Sequence, residues 1–272
     1  MAWQKPPSAP DSFKRDIVAR MQASRVAVLP PELASQIAAG EVVERPSSAV
    51  KELIENALDA EASRVDVEID GGGITRLAVG DDGFGMNETD AKLAVERHAT
   101  SKLRTFADLT HVATFGFRGE ALPTIASVSR FSLRTREGDS DVGTRVVIDG
   151  GKLMLAEPVG MPSGTQIEVS DLFYNVPARR KFLRSTGTES GHVTEAVEQA
   201  ALSRPDITCT LTRDGRKVRE LLRAGERAER VRQVCDLDEL ALCRGERGPL
   251  GVEAFLSRPE QARLLSVPGD TI

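Results

Sequence analysis

The sequence predicts an α/β protein of the two-layer α+β kind, with a mixed, largely antiparallel sheet covered by helices on one face. Three observations carry this prediction. Arg64 to Asp70 alternates strictly, with Val65, Val67 and Ile69 on one side, and Gly71-Gly72-Gly73 turns the chain into a returning strand, Ile74 to Val79. Four more alternating runs, Val128 to Arg136, Thr144 to Ile148, Lys152 to Ala156 and Gly164 to Val169, follow at hairpin spacing, which implies antiparallel or mixed pairing. At about 100° per residue, Val50, Leu53, Ile54, Ala57 and Leu58 make one apolar helical stripe, which must lie on a core.

In chain order, residues 1 to 25 hold Pro6, Pro7, Pro10 and small polar residues and read as a flexible extension. Leu29-Pro30-Pro31-Glu32 opens a helix whose apolar face is Leu33, Ile37 and Ala38. Arg45-Pro46-Ser47-Ser48 then starts the helix that contains residues 51–59, where a serine can cap free N–H groups. On its polar side Glu52 and Asn56 are four apart and stack one above the other. A carboxylate beside an amide oxygen suits a site with a water to deprotonate and a hard cation to hold. Taken alone, the same pair is an ordinary solvated helix face.

The strand Ile74 to Val79 runs directly into Gly80-Asp81-Asp82-Gly83-Phe84-Gly85-Met86. Two glycines around one residue let the backbone turn tightly and a ligand approach closely. Asp81, at the strand end, is placed to accept a hydrogen bond from an exocyclic amine such as that of adenine. By itself the heptapeptide also reads as an Asp-Gly turn that caps the next helix, Thr89 to Ala99. Arg97-His98-Ala99-Thr100-Ser101-Lys102 is rich in hydroxyls and cations, and Phe115-Gly116-Phe117-Arg118-Gly119-Glu120-Ala121-Leu122 sets two glycines ahead of a helix reaching Ser127. Such a turn aims backbone N–H groups at an anion, although Lys102 and Arg118 singly read as surface charges. After the four strands, Leu172-Phe173-Tyr174-Asn175-Val176-Pro177 leads into basic Ala178-Arg179-Arg180-Lys181-Phe182. A helix from His192 to Ser203 ends before Pro205, and Ile207 to Thr212 and Val218 to Leu222 form a hairpin about Asp214-Gly215. Arg223 to Arg232 is a charged linker or helix, and two strand-like runs close the chain.

The totals exclude several classes. Of 272 residues, 40% are hydrophobic and 28% charged, as in ordinary globular proteins. No apolar run approaches the roughly 20 residues of a membrane span, and the N-terminus has no apolar signal core. Cys209, Cys235 and Cys243 are unevenly spaced and suit a reducing cytoplasm. His98, His111 and His192 are scattered, so a zinc site has no support. The chain has no GxxxxGK[ST], no third glycine after Gly83-Phe84-Gly85, and no GxSxG, which removes P-loop, dinucleotide-fold and serine-hydrolase readings. The net charge is −5, yet residues 176–233 carry thirteen Lys/Arg against eight Asp/Glu, compatible with a phosphate-facing patch or with solvated helix faces.

Four features stand in fixed order: Glu52 and Asn56 on a helix, a strand-end DxGxG, a Thr-Ser-Lys segment, and a GFRGEAL loop. That order resembles the GHKL (Bergerat-fold) ATPases, the group of gyrase B subunits, the large heat-shock chaperone and sensor histidine kinases. Gln36-Ile37-Ala38-Ala39-Gly40-Glu41-Val42-Val43-Glu44-Arg45-Pro46, Arg97 to Lys102, Gly116 to Leu122 and Asp171 to Leu183 resemble, within that group, the DNA mismatch-repair protein family MutL, from about residue 27 onward.

The resemblance implies roles. Glu52 is the general base for the water that attacks the γ-phosphate of ATP, with Glu55, beside Lys51, its paired or solvated rival. Asn56 holds Mg²⁺, Asp81 reads the adenine amine, and Thr165 supports Asp81 through water. Gly83, Gly85 and Met86 make room for the base. Thr100, Ser101 and Lys102 lie near the phosphates in a lid from about 86 to 120, and backbone N–H groups of Gly116, Phe117, Arg118, Gly119, Glu120 and Ala121 cradle them. The implied domains are an extension over 1–25, the ATPase domain over 26–228, and over 229–272 the start of a ribosomal-S5-like domain, whose phosphate-contacting lysine is expected beyond Ile272. Asp82 stands where the family usually has Asn, and Glu61 where it usually has Gly; neither replaces a residue with a chemical role. The implied partners are a MutS-type mismatch sensor, a strand-nicking endonuclease and helicase, DNA bound without sequence preference, and a second protomer in an ATP-dependent homodimer, with no membrane and a bacterial cytoplasmic, nucleoid-associated setting. The competing expectation is a catalytically feeble module that binds DNA or repair partners. A histidine-kinase reading lacks a phosphoacceptor and dimerisation helix.

Overall fold

The structure, a computed structural model, describes residues 43–97, 99, 120–237, 239–248 and 250–259. The expected extension over 1–25 and the helix after Leu29 therefore lie outside the described residues.

Helix α1 (Pro46–Asp59) turns Ala49, Val50, Leu53, Ile54, Ala57 and Leu58 into the core, as its apolar stripe requires. Pro46 opens it, where a missing N–H costs nothing. The expected serine cap is not formed: Arg45 is the N-cap and no side chain caps the helix. Strands β1 (Arg64–Asp70) and β2 (Arg76–Asp81) are joined by a single 3-10 turn over Gly71–Gly73. The Gly71 N–H donates to Asp214 Oδ1 at 3.0 Å, which pins this turn to a distant one.

Helix α2 (Glu88–Leu93), capped by the Asn87 side chain, is shorter than the expected Thr89 to Ala99. Helix α3 (Ala121–Ser127) precedes β3 (Arg130–Arg136), β4 (Gly143–Asp149), β5 (Lys152–Val159) and β6 (Gly164–Ser170). After the short α4 (Pro177–Arg180) comes α5 (Thr186–Ser203), then β7 (Thr208–Arg213), β8 (Arg216–Leu221) and α6 (Arg227–Cys235). The charged stretch after Leu222 is thus largely helical.

Among the described residues these strands make one eight-stranded sheet in the order β5-β4-β3-β6-β2-β1-β7-β8. Every neighbouring pair is antiparallel except β1 and β7. Val65, Val67, Ile69, Leu77, Val79, Phe131, Leu133, Val146, Ile148, Ile167 and Val169 meet α1, α3 and α5 in one core. On the other face charged side chains pair across strands: Arg76 bridges Glu68 at 3.0 Å and Glu168 at 3.1 Å across three strands. One covered face and one wet face is the expected two-layer arrangement.

The expected boundary at 228/229 falls inside α6. Arg230 on this helix is fully buried, and its guanidinium donates to the Pro205 carbonyl at 3.1 Å and to that of Ile207. Helix α6 is thereby fastened to α5 and the main sheet. Beyond it β9 (Ala241–Arg247) and β10 (Leu250–Leu256) pair antiparallel in a separate two-stranded sheet.

Candidate functional site

Asp81 ends β2, paired in register with Thr165 of β6. Its carboxylate accepts the Gly83 N–H at 2.9 Å. Burial pushes this acid up to about 6, against the pull of backbone N–H groups of Gly83 and Thr165, and the neighbouring Asp82 charge adds to the rise. An acceptor held out of water is what an incoming donor can exploit. Asp82 is turned the other way. It accepts from the Ser63 and Arg64 N–H groups at 2.8 Å each and from the Ser63 hydroxyl at 2.6 Å. Burial pushes its carboxyl up, but these hydrogen bonds hold it below the usual range. Its work is to fasten the start of β1.

The turn after Asp81 is seated on the end of α1. The Phe84 N–H donates to the Ala60 carbonyl at 3.1 Å. Ala60, Asn56 and Glu52 are four apart, so they run along one side of the helix, leading back from that contact. Glu52 and Asn56 are half-buried. Glu55 is paired with Lys51 at 3.9 Å, whereas no hydrogen bond or ion pair engages Glu52 among the described residues. Two glycines are obligatory here. At Gly85 (φ +70) a Cβ would lie 2.1 Å from the Arg136 carbonyl oxygen, and at Gly164 (φ +118) 2.1 Å from that of Asp81.

Thr135 on β3 went unrecognised in the sequence. It is fully buried, and its hydroxyl accepts the Met86 N–H at 2.9 Å while lying 3.0 Å from the Thr165 hydroxyl and 3.2 Å from the Gly164 carbonyl. As an inward residue of an alternating strand it carries no motif; only strand register brings it opposite Thr165. Glu120 is the N-cap of α3 and Ala121 its first residue, and α3 packs against α1. Thr100, Ser101, Lys102, Gly116, Phe117, Arg118 and Gly119 lie outside the described residues.

Among the described residues no group of three or more His, Cys, Asp and Glu could cage a metal. Arg180, Lys181 and Arg184 are exposed around Phe182, itself 82% exposed, while Arg179 turns inward to donate to the Val43 carbonyl at 3.1 Å.

Residues 44–149 match the family described as histidine kinase-, DNA gyrase B-, and HSP90-like ATPase. The chain is 52% identical over 241 residues to the DNA mismatch repair protein MutL of Anaeromyxobacter sp. (strain K), covering 88% of this chain and 40% of that protein. To MutL of Geotalea daltonii it is 49% identical over 247 residues, 89% of this chain and 41% of the relative. The solved Aquifex aeolicus MutL ATPase domain complexed with ADP aligns with a TM-score of 0.65 at 34% identity, over 80% of this chain and 78% of that one. The chain belongs to the MutL family. It spans about two-fifths of the length of the curated MutL proteins it matches. The eight-stranded sheet and its helices are the MutL ATPase-domain fold, of the GHKL class. The matched span 44–149 takes in Glu52, Asn56, the Asp81 turn and Thr135, and it stops before Thr165.

Proposed function

We propose that this MutL-family chain binds ATP with Mg²⁺ between the Glu52/Asn56 side of α1 and the turn after Asp81, and hydrolyses it slowly as a switch in DNA mismatch repair. The observation that carries the reading is the seating of Gly83-Phe84-Gly85 on Ala60 at the end of α1. The ADP bound in the Aquifex domain supports an adenine nucleotide as ligand.

In this reading the Asp81 carboxylate accepts a hydrogen bond from the adenine amine, Thr165 supports it, and Gly83, Gly85 and Met86 bring backbone close to the base. Asn56 holds the metal, which offsets the negative charge of the phosphates. Glu52 removes the proton from the attacking water, and the β–γ phosphoanhydride bond breaks to give ADP and inorganic phosphate. Backbone N–H groups of 116–121 receive the phosphates. Nucleotide-dependent docking of two protomers would then engage a MutS-type sensor, a nicking endonuclease, a helicase and DNA in the cytoplasm. Among the described residues no helix is long and apolar enough to cross a membrane.

The exposed cluster of Arg180, Lys181, Phe182 and Arg184 favours a second reading, a DNA-binding module of feeble activity. Steady-state ATP hydrolysis with Glu52→Ala as control decides between them. Loss of a general base should lower kcat about 100-fold or more and leave nucleotide affinity nearly unchanged. Equal background rates for both proteins would leave the binding module.

A further inference from the structure

The turn Gly83-Phe84-Gly85 is held from two sides. On one, the Ala60 carbonyl at the end of α1 accepts the Phe84 N–H at 3.1 Å. On the other stands Arg136, the last residue of β3. Its carbonyl oxygen would lie 2.1 Å from a Cβ at Gly85, so the turn rests directly on this backbone. Arg136 also pairs in register with Gly164, which is itself pressed on the Asp81 carbonyl. Beyond Arg136 the chain leaves the sheet for a mostly exposed loop, residues 137–142, and a strand end that opens into such a loop frays unless it is tied.

The Arg136 side chain supplies the tie. Its Nη1 donates to the Ser140 carbonyl and reaches the Glu137 carbonyl at 3.5 Å, so one charged donor gathers both ends of the loop. Its Nε is buried with no hydrogen-bond partner, a cost that turning the side chain out to water would relieve, so the carbonyl contacts hold it inward. A second tie comes from Asn87, the N-cap of α2, whose Nδ2 donates to Glu137 Oε1 at 3.4 Å. We propose that Arg136 is a positioning residue of the nucleotide site. By closing the β3–β4 loop on its own guanidinium it fixes the backbone on which the Gly85 turn rests, and it supports nucleotide affinity without touching the nucleotide. The proposal rests on the nucleotide reading of the Asp81 site and adds the loop that braces its turn.

The test measures equilibrium binding of ADP together with steady-state ATP hydrolysis. Arg136→Met keeps the apolar stem and removes the donors. It should raise the Kd for ADP and the KM for ATP about fivefold and leave kcat unchanged, because Glu52 and Asn56 stand on α1, across the turn from this loop. Arg136→Lys returns a charged donor for the Ser140 carbonyl and should recover most of the affinity. Arg230→Ala, which loosens α6 instead of this loop, should leave the Kd for ADP unchanged and so separates bracing from general loss of stability. If Arg136→Met folds poorly, Glu137→Ala removes only the Asn87 tie and should raise the Kd about threefold. An unchanged Kd in folded Arg136→Met or in Glu137→Ala, an equal loss of affinity in Arg230→Ala, or a fall in kcat without a rise in KM overturns the proposal while the nucleotide site stands. Failure of the unaltered protein to bind ADP overturns both.

Discussion

A carboxylate withdrawn from water at the end of β2 makes Asp81 a burden on the unliganded fold. Its acid constant moves from 3.8 in the open chain to about 6 in the folded one. The folded state therefore holds the proton more tightly, so this group favours folding below the lower value. That advantage is lost as pH rises through about 6, and above it the burial cost is fully expressed. Asn has the same shape and no charge. Asp81→Asn should raise the unfolding free energy by up to about 3 kcal/mol at pH 8 and change little at pH 4, while abolishing ADP binding. Urea titrations at the two pH values check this, and a gain of equal size at both would contradict it. Glu61 has the opposite character, an exposed residue with φ 58 and no gain to offset the strain. Glu61 stands where the family usually has Gly, and the backbone there favours glycine. Glu61→Gly should stabilise by up to about 1 kcal/mol, read as a higher urea midpoint with unchanged slope.

At the scale of elements, α6 depends on one buried cation. Truncation of Arg230 to Ala removes a donor from the Ile207 carbonyl and one of two donors from the Pro205 carbonyl, which keeps the Ala224 N–H at 2.8 Å, and opens a void under the helix. A loss of about 2–4 kcal/mol is expected, with α6 amides losing hydrogen-exchange protection ahead of β3 and β6. Uniform protection loss across the sheet would show that α6 is not a separate fastening. The strands were legible because alternation survives burial on one face, and α1 because its stripe is unbroken. Helix α5 was not legible at its start. Thr186 to Gly191 holds two glycines and no large apolar residue, so the apolar period begins only near Val193. The structure starts it six residues earlier, with Ser185 accepting the Thr188 N–H at 3.3 Å. Helix α2 differs the other way: its apolar pattern predicts a helix to Ala99, but the helix ends at the exposed Leu93. Asp81, Gly83 and Gly85 could be read from a local motif. Thr135 could not, because its meaning arises only when β3 and β6 pair.

For the whole molecule, charge asymmetry and the nucleotide site make separate claims. If Arg180 and Lys181 contact phosphates, duplex binding weakens steeply with salt, and replacement of either by Ala should lower the slope of log K against log salt by about 1. A flat salt profile measured by fluorescence anisotropy would remove the basic cluster from DNA binding. The central claim is that a nucleotide sits between the Glu52/Asn56 side of α1 and the turn after Asp81. Its most direct test is a crystal structure of this chain with Mg²⁺ and a non-hydrolysable ATP analogue. The adenine amine should lie within hydrogen-bond distance of Asp81 and the metal on the Asn56 amide oxygen, with Glu52 beside the γ-phosphate. A nucleotide bound elsewhere, or a base whose amine is turned away from Asp81, would contradict it.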